Sequence, residues 1–118
     1  MNGIGFKKLK AIFNKYGGKC AYCGIDLNNE NFTIDHITSF LKKDLLKHKN
    51  FGYNSIENLN PCCGSCNSRK RSRSIKEFKQ FITNKCLKLL DELMFLDKTY
   101  KLKGEFDKVT FYFEIYEG

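Results

Sequence analysis

The sequence predicts an α+β fold: a small zinc-stapled core with an N-terminal helix, a long C-terminal helix and a terminal β-strand. Three observations predict it. Two Cys-x-x-Cys pairs stand far apart in the chain, apolar side chains recur at helical spacing near both ends, and short β-branched or aromatic runs alternate with period two. At 118 residues the chain fits one domain, read as residues 1–118 with a core at about 17–73 and an extension at about 74–118.

Phe6, Leu9, Phe13 and Tyr16 follow the spacing of one helical face with Ile12 beside them, and Gly17-Gly18 supplies a stop. Phe32-Thr33-Ile34 then reads as a brief strand that delivers Asp35 and His36. Residues 38–57 read as an irregular excursion with a helical turn around Leu41–Leu46, and an excursion this long in a small domain is commonly functional. The basic run from Ser68 to Arg73 begins a helix at the second cysteine knuckle. Ser74 and Glu77 match a capping box, after which Ile75, Phe78, Ile82, Cys86, Leu89, Leu93 and Leu96 hold one face of a long helix. Val109, Phe111, Phe113 and Ile115 alternate with Thr110, Tyr112, Glu114 and Tyr116, the period of a strand, and unless that strand pairs internally its exposed edge would serve a homodimer.

Composition narrows the function. With 42% hydrophobic residues and one proline the chain has enough apolar material for a core. A net charge of +8 favours a polyanionic partner, with nucleic acid first. No run approaches the roughly 18 apolar residues of a membrane span. The N-terminus lacks an apolar export segment, so a reducing cytoplasm, bacterial or phage-infected, is the expected setting. There, paired cysteines bind metal more often than each other.

Cys20-x-x-Cys23 and Cys63-x-x-Cys66 each place two thiolates on a tight turn, the arrangement that lets four sulfurs close around one structural Zn²⁺. Cys62 competes with Cys63, but only Cys63 keeps the two-residue spacing to Cys66. Buried free thiols or disulfides are the competing readings of the pairs. Cys86, on the apolar face of the long helix, reads as a small buried hydrophobe. A zinc ribbon usually separates its pairs by roughly 15–20 residues, whereas residues 24–62 intervene here. The zinc therefore clamps the base of an insert, and the insert is where chemistry is expected.

Within the clamp lie Asp35-His36-Ile37, then Asn58-Leu59-x-Pro61-x-Cys63-x-x-Cys66-Asn67-x-x-Lys70. This order resembles the HNH endonuclease family, whose fold is a ββα-metal finger, across residues 20–70; Tyr22, Gly24 and the Gly52–Asn58 approach also look like the family. The resemblance implies that Asp35 ligates a catalytic Mg²⁺ or Mn²⁺, that His36 is the general base, and that Asn58 braces the loop orienting the imidazole. It further implies that Asn67 is the second protein ligand and that Lys70 lies near the phosphate. The implied reaction leaves a 5'-phosphate and a 3'-hydroxyl.

The chemistry agrees with that assignment. Phosphodiester hydrolysis needs an aimed water, an ion that neutralises phosphoryl charge, and a proton acceptor. Aspartate and asparagine offer hard oxygens, and imidazole accepts a proton near neutral pH. Lys42, Lys43, Arg69, Lys70, Arg71 and Arg73 are the expected nucleic-acid contacts, with duplex DNA the expected partner, cut by a monomer one strand at a time. His48, in a lysine-rich stretch with Lys47 and Lys49, reads as solvent-facing. The competing readings are a zinc-binding nucleic-acid module without catalysis, which has no use for Asp35, His36 and Asn67 together, and a protein-protein adaptor, which leaves the basic surface unexplained.

Overall fold

A computed structural model describes residues 4–39, 42, 52–100 and 109–118, and within the long helix its side chains up to residue 89. The helical turn expected around Leu41–Leu46, together with Lys43, Lys47, His48 and Lys49, lies outside the described residues. The described elements are α1 (Phe6–Phe13), β1 (Phe32–His36), a 3-10 turn (Ile56–Asn58), β2 (Leu59–Cys63), α2 (Gly64–Lys70), α3 (Ile75–Tyr100) and α4 (Tyr112–Ile115). The fold is thus mixed, with helices around one small antiparallel sheet.

Helix α1 turns Ile12 fully inward while Phe6 stays 80% exposed, so the buried side of the helix centres on Ile12 and not on the face through Phe6. Gly17 and Gly18 follow it with φ of 69° and 78°, the left-handed values that glycine adopts without a Cβ clash. The chain then folds into the first knuckle. Cys20 N–H donates to the Ile25 carbonyl (2.9 Å), Leu27 N–H to the Gly18 carbonyl (2.9 Å) and Ala21 N–H to the Pro61 carbonyl (2.9 Å), which fixes the knuckle against β2.

Strands β1 and β2 pair antiparallel with Asp35 opposite Asn60 and His36 opposite Leu59. All five residues of β2 are buried, since α1, the first knuckle and α2 surround it. Helix α2 begins at the second knuckle, where the Cys63 sulfur accepts from the Cys66 N–H. It ends at Arg71, whose φ of 52° with ψ of −129° is a glycine-like conformation. The expected capping box starts α3: Glu77 accepts from Ser74 N–H (2.9 Å) and Ser74 Oγ from Glu77 N–H (3.1 Å).

One expectation is corrected. Residues 109–116 do not form a strand: Tyr112–Ile115 is a helical turn. Phe111 and Phe113 alternate toward the interior, but their segment docks on the first knuckle, where Tyr112 N–H donates to the Tyr22 carbonyl (3.1 Å) and Phe113 N–H to the Ala21 carbonyl (2.7 Å). Glu114 accepts from Phe111 N–H (2.8 Å) and pairs with Lys79, which curls the backbone there. The unpaired edge on which a dimer would rest is therefore absent among the described residues. Phe111 instead joins Tyr22 and Phe78, with ring centroids 5.1–5.5 Å apart, in a core shared with Cys20, Ala21, Cys62, Cys63 and Cys66. Gly24, with φ of 78°, lies under the Tyr112 ring, which would stand 3.0 Å from any Cβ there.

Candidate functional site

The Sγ atoms of Cys20, Cys23, Cys63 and Cys66 all lie within 4.8 Å of one another, and those of Cys23 and Cys63 are 3.8 Å apart. A tetrahedron with metal–sulfur arms of about 2.3 Å has edges of about 3.8 Å. The donor set and spacing thus fit a soft or borderline divalent ion such as zinc. Four thiolates this close would repel without a cation: the hydrogen bond from Cys66 draws Cys20 down to about 4 and pushes Cys66 up. Cys62 stands apart. Neighbours in a strand face opposite sides, so with Cys63 in the cluster Cys62 turns away to Thr33 Oγ1 at 3.3 Å, and burial pushes its thiol up to about 12. Cys86 is half-buried, not sealed in the core, and lines an apolar groove of about 440 Å³ with Ile82 and Leu89.

Strand β1 delivers Asp35 and His36 at its C-terminal end. Asp35 is 3% exposed and accepts hydrogen bonds from the Tyr22 phenol and from Lys70 Nζ, 3.1 Å from each carboxylate oxygen. Burial pushes its carboxyl above the usual carboxylate range, and the opposing pull of Lys70 and Tyr22 does not cancel it. Asn60 Nδ2 donates to the Tyr22 oxygen (3.3 Å), so the phenol proton is left for Asp35. This buried chain ties the carboxylate to the cysteine knuckle that carries Tyr22.

His36 is half-buried. Its Nε2 lies 2.9 Å from Asn54 Oδ1, and its ring stacks on Tyr53 with centroids 4.0 Å apart and planes 9° from parallel. Asn58 organises the backbone around it: its carbonyl accepts from Ile37 N–H (2.8 Å), its Oδ1 from Thr38 N–H (2.8 Å), and its Nδ2 donates to the carbonyls of Thr38 and Tyr53 (3.0 and 2.8 Å). A side chain this buried with every polar atom engaged holds its loop in one geometry.

A cavity of about 310 Å³ brings Asp35, His36 and Asn67 together, with Ser39, Tyr53 and Arg71 also on its wall. Ser39 Oγ is a buried polar atom without a hydrogen-bond partner there. An orphaned hydroxyl beside a carboxylate and an amide makes a set of hard oxygens that fits a divalent ion with retained waters. Asp35 keeps lone pairs beyond the bonds it accepts.

The expected nucleic-acid contacts divide. Arg69 and Arg71 are exposed, and Arg73 lies over the Phe81 ring at 3.9 Å. Lys42 pairs with Glu77. Lys70 is corrected: it is fully buried, and besides Asp35 its Nζ donates to the carbonyls of His36 (3.0 Å) and Ile37 (3.3 Å), so it does not face a phosphate. It sits three residues after Asn67, one helical turn along the face of α2 that meets β1. Tyr53, Asn54 and Ser39 enter the site without having been singled out as site residues; the family-like Gly52–Asn58 approach was the signal for Tyr53 and Asn54, and Ser39 had none.

The model of the HNH endonuclease family matches residues 20–73. Over 97 residues the chain is 33% identical to YoqL, an SPbeta prophage-derived protein of Bacillus subtilis (strain 168) named for the HNH endonucleases. That match covers 76% of this chain and 40% of the relative, so the chain spans about two fifths of the length of the curated relative it matches. No solved structure matches.

Proposed function

We propose, from the HNH endonuclease domain at residues 20–73, that the protein is a DNA endonuclease that hydrolyses phosphodiester bonds with one divalent metal and His36 as general base. The observation that carries this reading is the convergence of Asp35, His36 and Asn67 on one cavity. Asp35 and Asn67 would hold Mg²⁺ or Mn²⁺, with Ser39 Oγ within the same wall. Such an ion, when bound, supplies charge neutralisation at the phosphoryl and leaving oxygens.

The chain's own groups do the rest. His36 takes the proton of the attacking water, a task to which an imidazole is chemically suited. Asn58 keeps the His36 loop in register. Arg71 at the cavity wall and Arg69 on the same helix attract the phosphodiester. The four cysteines, as a structural zinc site, anchor the Tyr22 end of the Asp35 network. We read residues of about 17–73 as the catalytic core and 74–118 as its extension, acting as a monomer that nicks one strand at a time in the cytoplasm. No described helix is long and apolar enough to cross a membrane.

The test is supercoiled plasmid incubated at low salt with Mn²⁺, comparing wild type with His36→Ala at equal zinc content. Nicking by wild type with 5'-phosphate ends, abolished in His36→Ala and by EDTA, is the expected result. Binding without nicking by wild type would favour the non-catalytic nucleic-acid module. Undiminished nicking by the variant would remove His36 from the mechanism.

A further inference from the structure

We infer that Asn54, with Tyr53 beside it, is the positioning residue of His36: its amide oxygen holds the imidazole as the Nε2–H tautomer and leaves Nδ1 as the nitrogen that accepts the proton. This rests on His36 being the base proposed above. The Asn54–Nε2 distance is 2.9 Å, and an amide oxygen only accepts. A neutral imidazole carries one N–H, so the hydrogen lies on Nε2 and the lone pair on Nδ1. No described group bonds Nδ1.

The ring is held in two further senses. Tyr53 covers one face in a near-parallel stack at 4.0 Å, which opposes rotation about the bond to the ring. The turn carrying both residues is itself fixed. Gly52 N–H donates to Ser55 Oγ (2.7 Å), Ser55 N–H to the Gly52 carbonyl (3.1 Å) and Asn58 Nδ2 to the Tyr53 carbonyl (2.8 Å). Lys8 of α1 reaches the Asn54 carbonyl. A partner with its own backbone so tied can select a tautomer instead of following one. Asn58, the asparagine the motif supplies, spends its side chain on the backbone groups of Thr38 and Tyr53 and not on the imidazole.

The experiment is ¹⁵N NMR of histidine-labelled protein at a pH where His36 is neutral. The chain has two histidines, so a His48→Gln background leaves the signals of His36 alone. The expected result is a protonated Nε2 and a bare Nδ1 in the parent. Asn54→Asp, which keeps an acceptor, retains that pattern and most of kcat. Asn54→Leu, which removes it, gives mixed tautomers and lowers kcat roughly 10- to 100-fold with KM unchanged, the scale of losing a partner that orients a functional histidine. A bare Nε2 in the parent, meaning that the Asn54 amide donates, overturns the inference and leaves the nuclease reading standing. An unchanged tautomer in Asn54→Leu overturns it equally. Loss of plasmid nicking bears on the nuclease reading, whereas the tautomer is read without any turnover.

Discussion

Replacing Lys70 with methionine tests whether this lysine is an internal counter-ion or a phosphate contact. Its Nζ is wholly buried, 3.1 Å from both oxygens of a carboxylate that is 3% exposed, and it also satisfies two backbone carbonyls. Methionine preserves most of the volume but leaves Asp35 buried and unpaired, a loss that costs about 3–5 kcal/mol. For a domain of this size that lowers Tm by roughly 10–20 °C. Asp35→Asn with Lys70→Met removes both charges, and such replacements are close to neutral or stabilising. The double variant should therefore recover about 3–5 kcal/mol relative to Lys70→Met alone, so the two positions are strongly non-additive in a double-mutant cycle. The pH dependence has a definite sign. Burial raises the Asp35 carboxyl, and a carboxyl raised in the folded state contributes stability below its unfolded pKa that is lost as pH rises through the folded one. Because Lys70 pulls that carboxyl down, Lys70→Met raises it further; the penalty is smallest in acid, where Asp35 is protonated in both proteins, and grows as pH rises until it passes the variant's still higher value. The assay is urea unfolding with zinc content verified across that range. A penalty below about 1 kcal/mol, typical of a surface lysine, would refute the reasoning.

Further outcomes follow from the same geometry. Cys63→Ser should lose the zinc measured by elemental analysis and unfold, because structural zinc contributes about 10–16 kcal/mol, whereas Cys62→Ser should keep one ion per chain; the reverse result would exchange their roles. Arg71→Gly relieves a φ of 52° and should raise stability by roughly 1 kcal/mol in chemical denaturation while weakening DNA binding, a trade expected of backbone strain held at a functional cavity. Among the basic residues, Arg69→Ala and Arg71→Ala should each flatten the log-log salt dependence of binding by up to about 0.9 if they neutralise one phosphate of duplex DNA. Isothermal binding across a salt series checks this, and an unchanged slope would take that arginine off the interface.

What could be read from the residues alone was whatever depends on near neighbours in sequence. The Ser74–Glu77 capping box, the Gly17-Gly18 stop and the choice of Cys63 over Cys62 each rest on spacings of a few residues, and each stands in the structure. The convergence of Asp35, His36 and Asn67 was legible only because the motif carries a fold with it; no periodicity joins residue 35 to residue 67. The errors share a cause in long-range packing. Lys70 reads as one member of a basic run, and only the register of β1 against α2 turns it inward to Asp35. Phe111 and Phe113 satisfy the period of a strand, yet the carbonyls of Tyr22 and Ala21, some ninety residues away, take the backbone donors of Tyr112 and Phe113, and the Glu114 side chain takes that of Phe111. Asn54 was hidden for the same reason, since its partner lies 18 residues earlier across the excursion.

The most direct test of the cavity as a metal and reaction site is Mn²⁺ titration of the zinc-loaded protein followed by electron paramagnetic resonance. One Mn²⁺ bound per chain is predicted, weakened at least tenfold by Asp35→Asn and by Asn67→Ala and retained in His36→Ala, which should bind the ion and not cut. Equal Mn²⁺ affinity in all four proteins would contradict the account, because the carboxylate and amide would then share a cavity without sharing an ion.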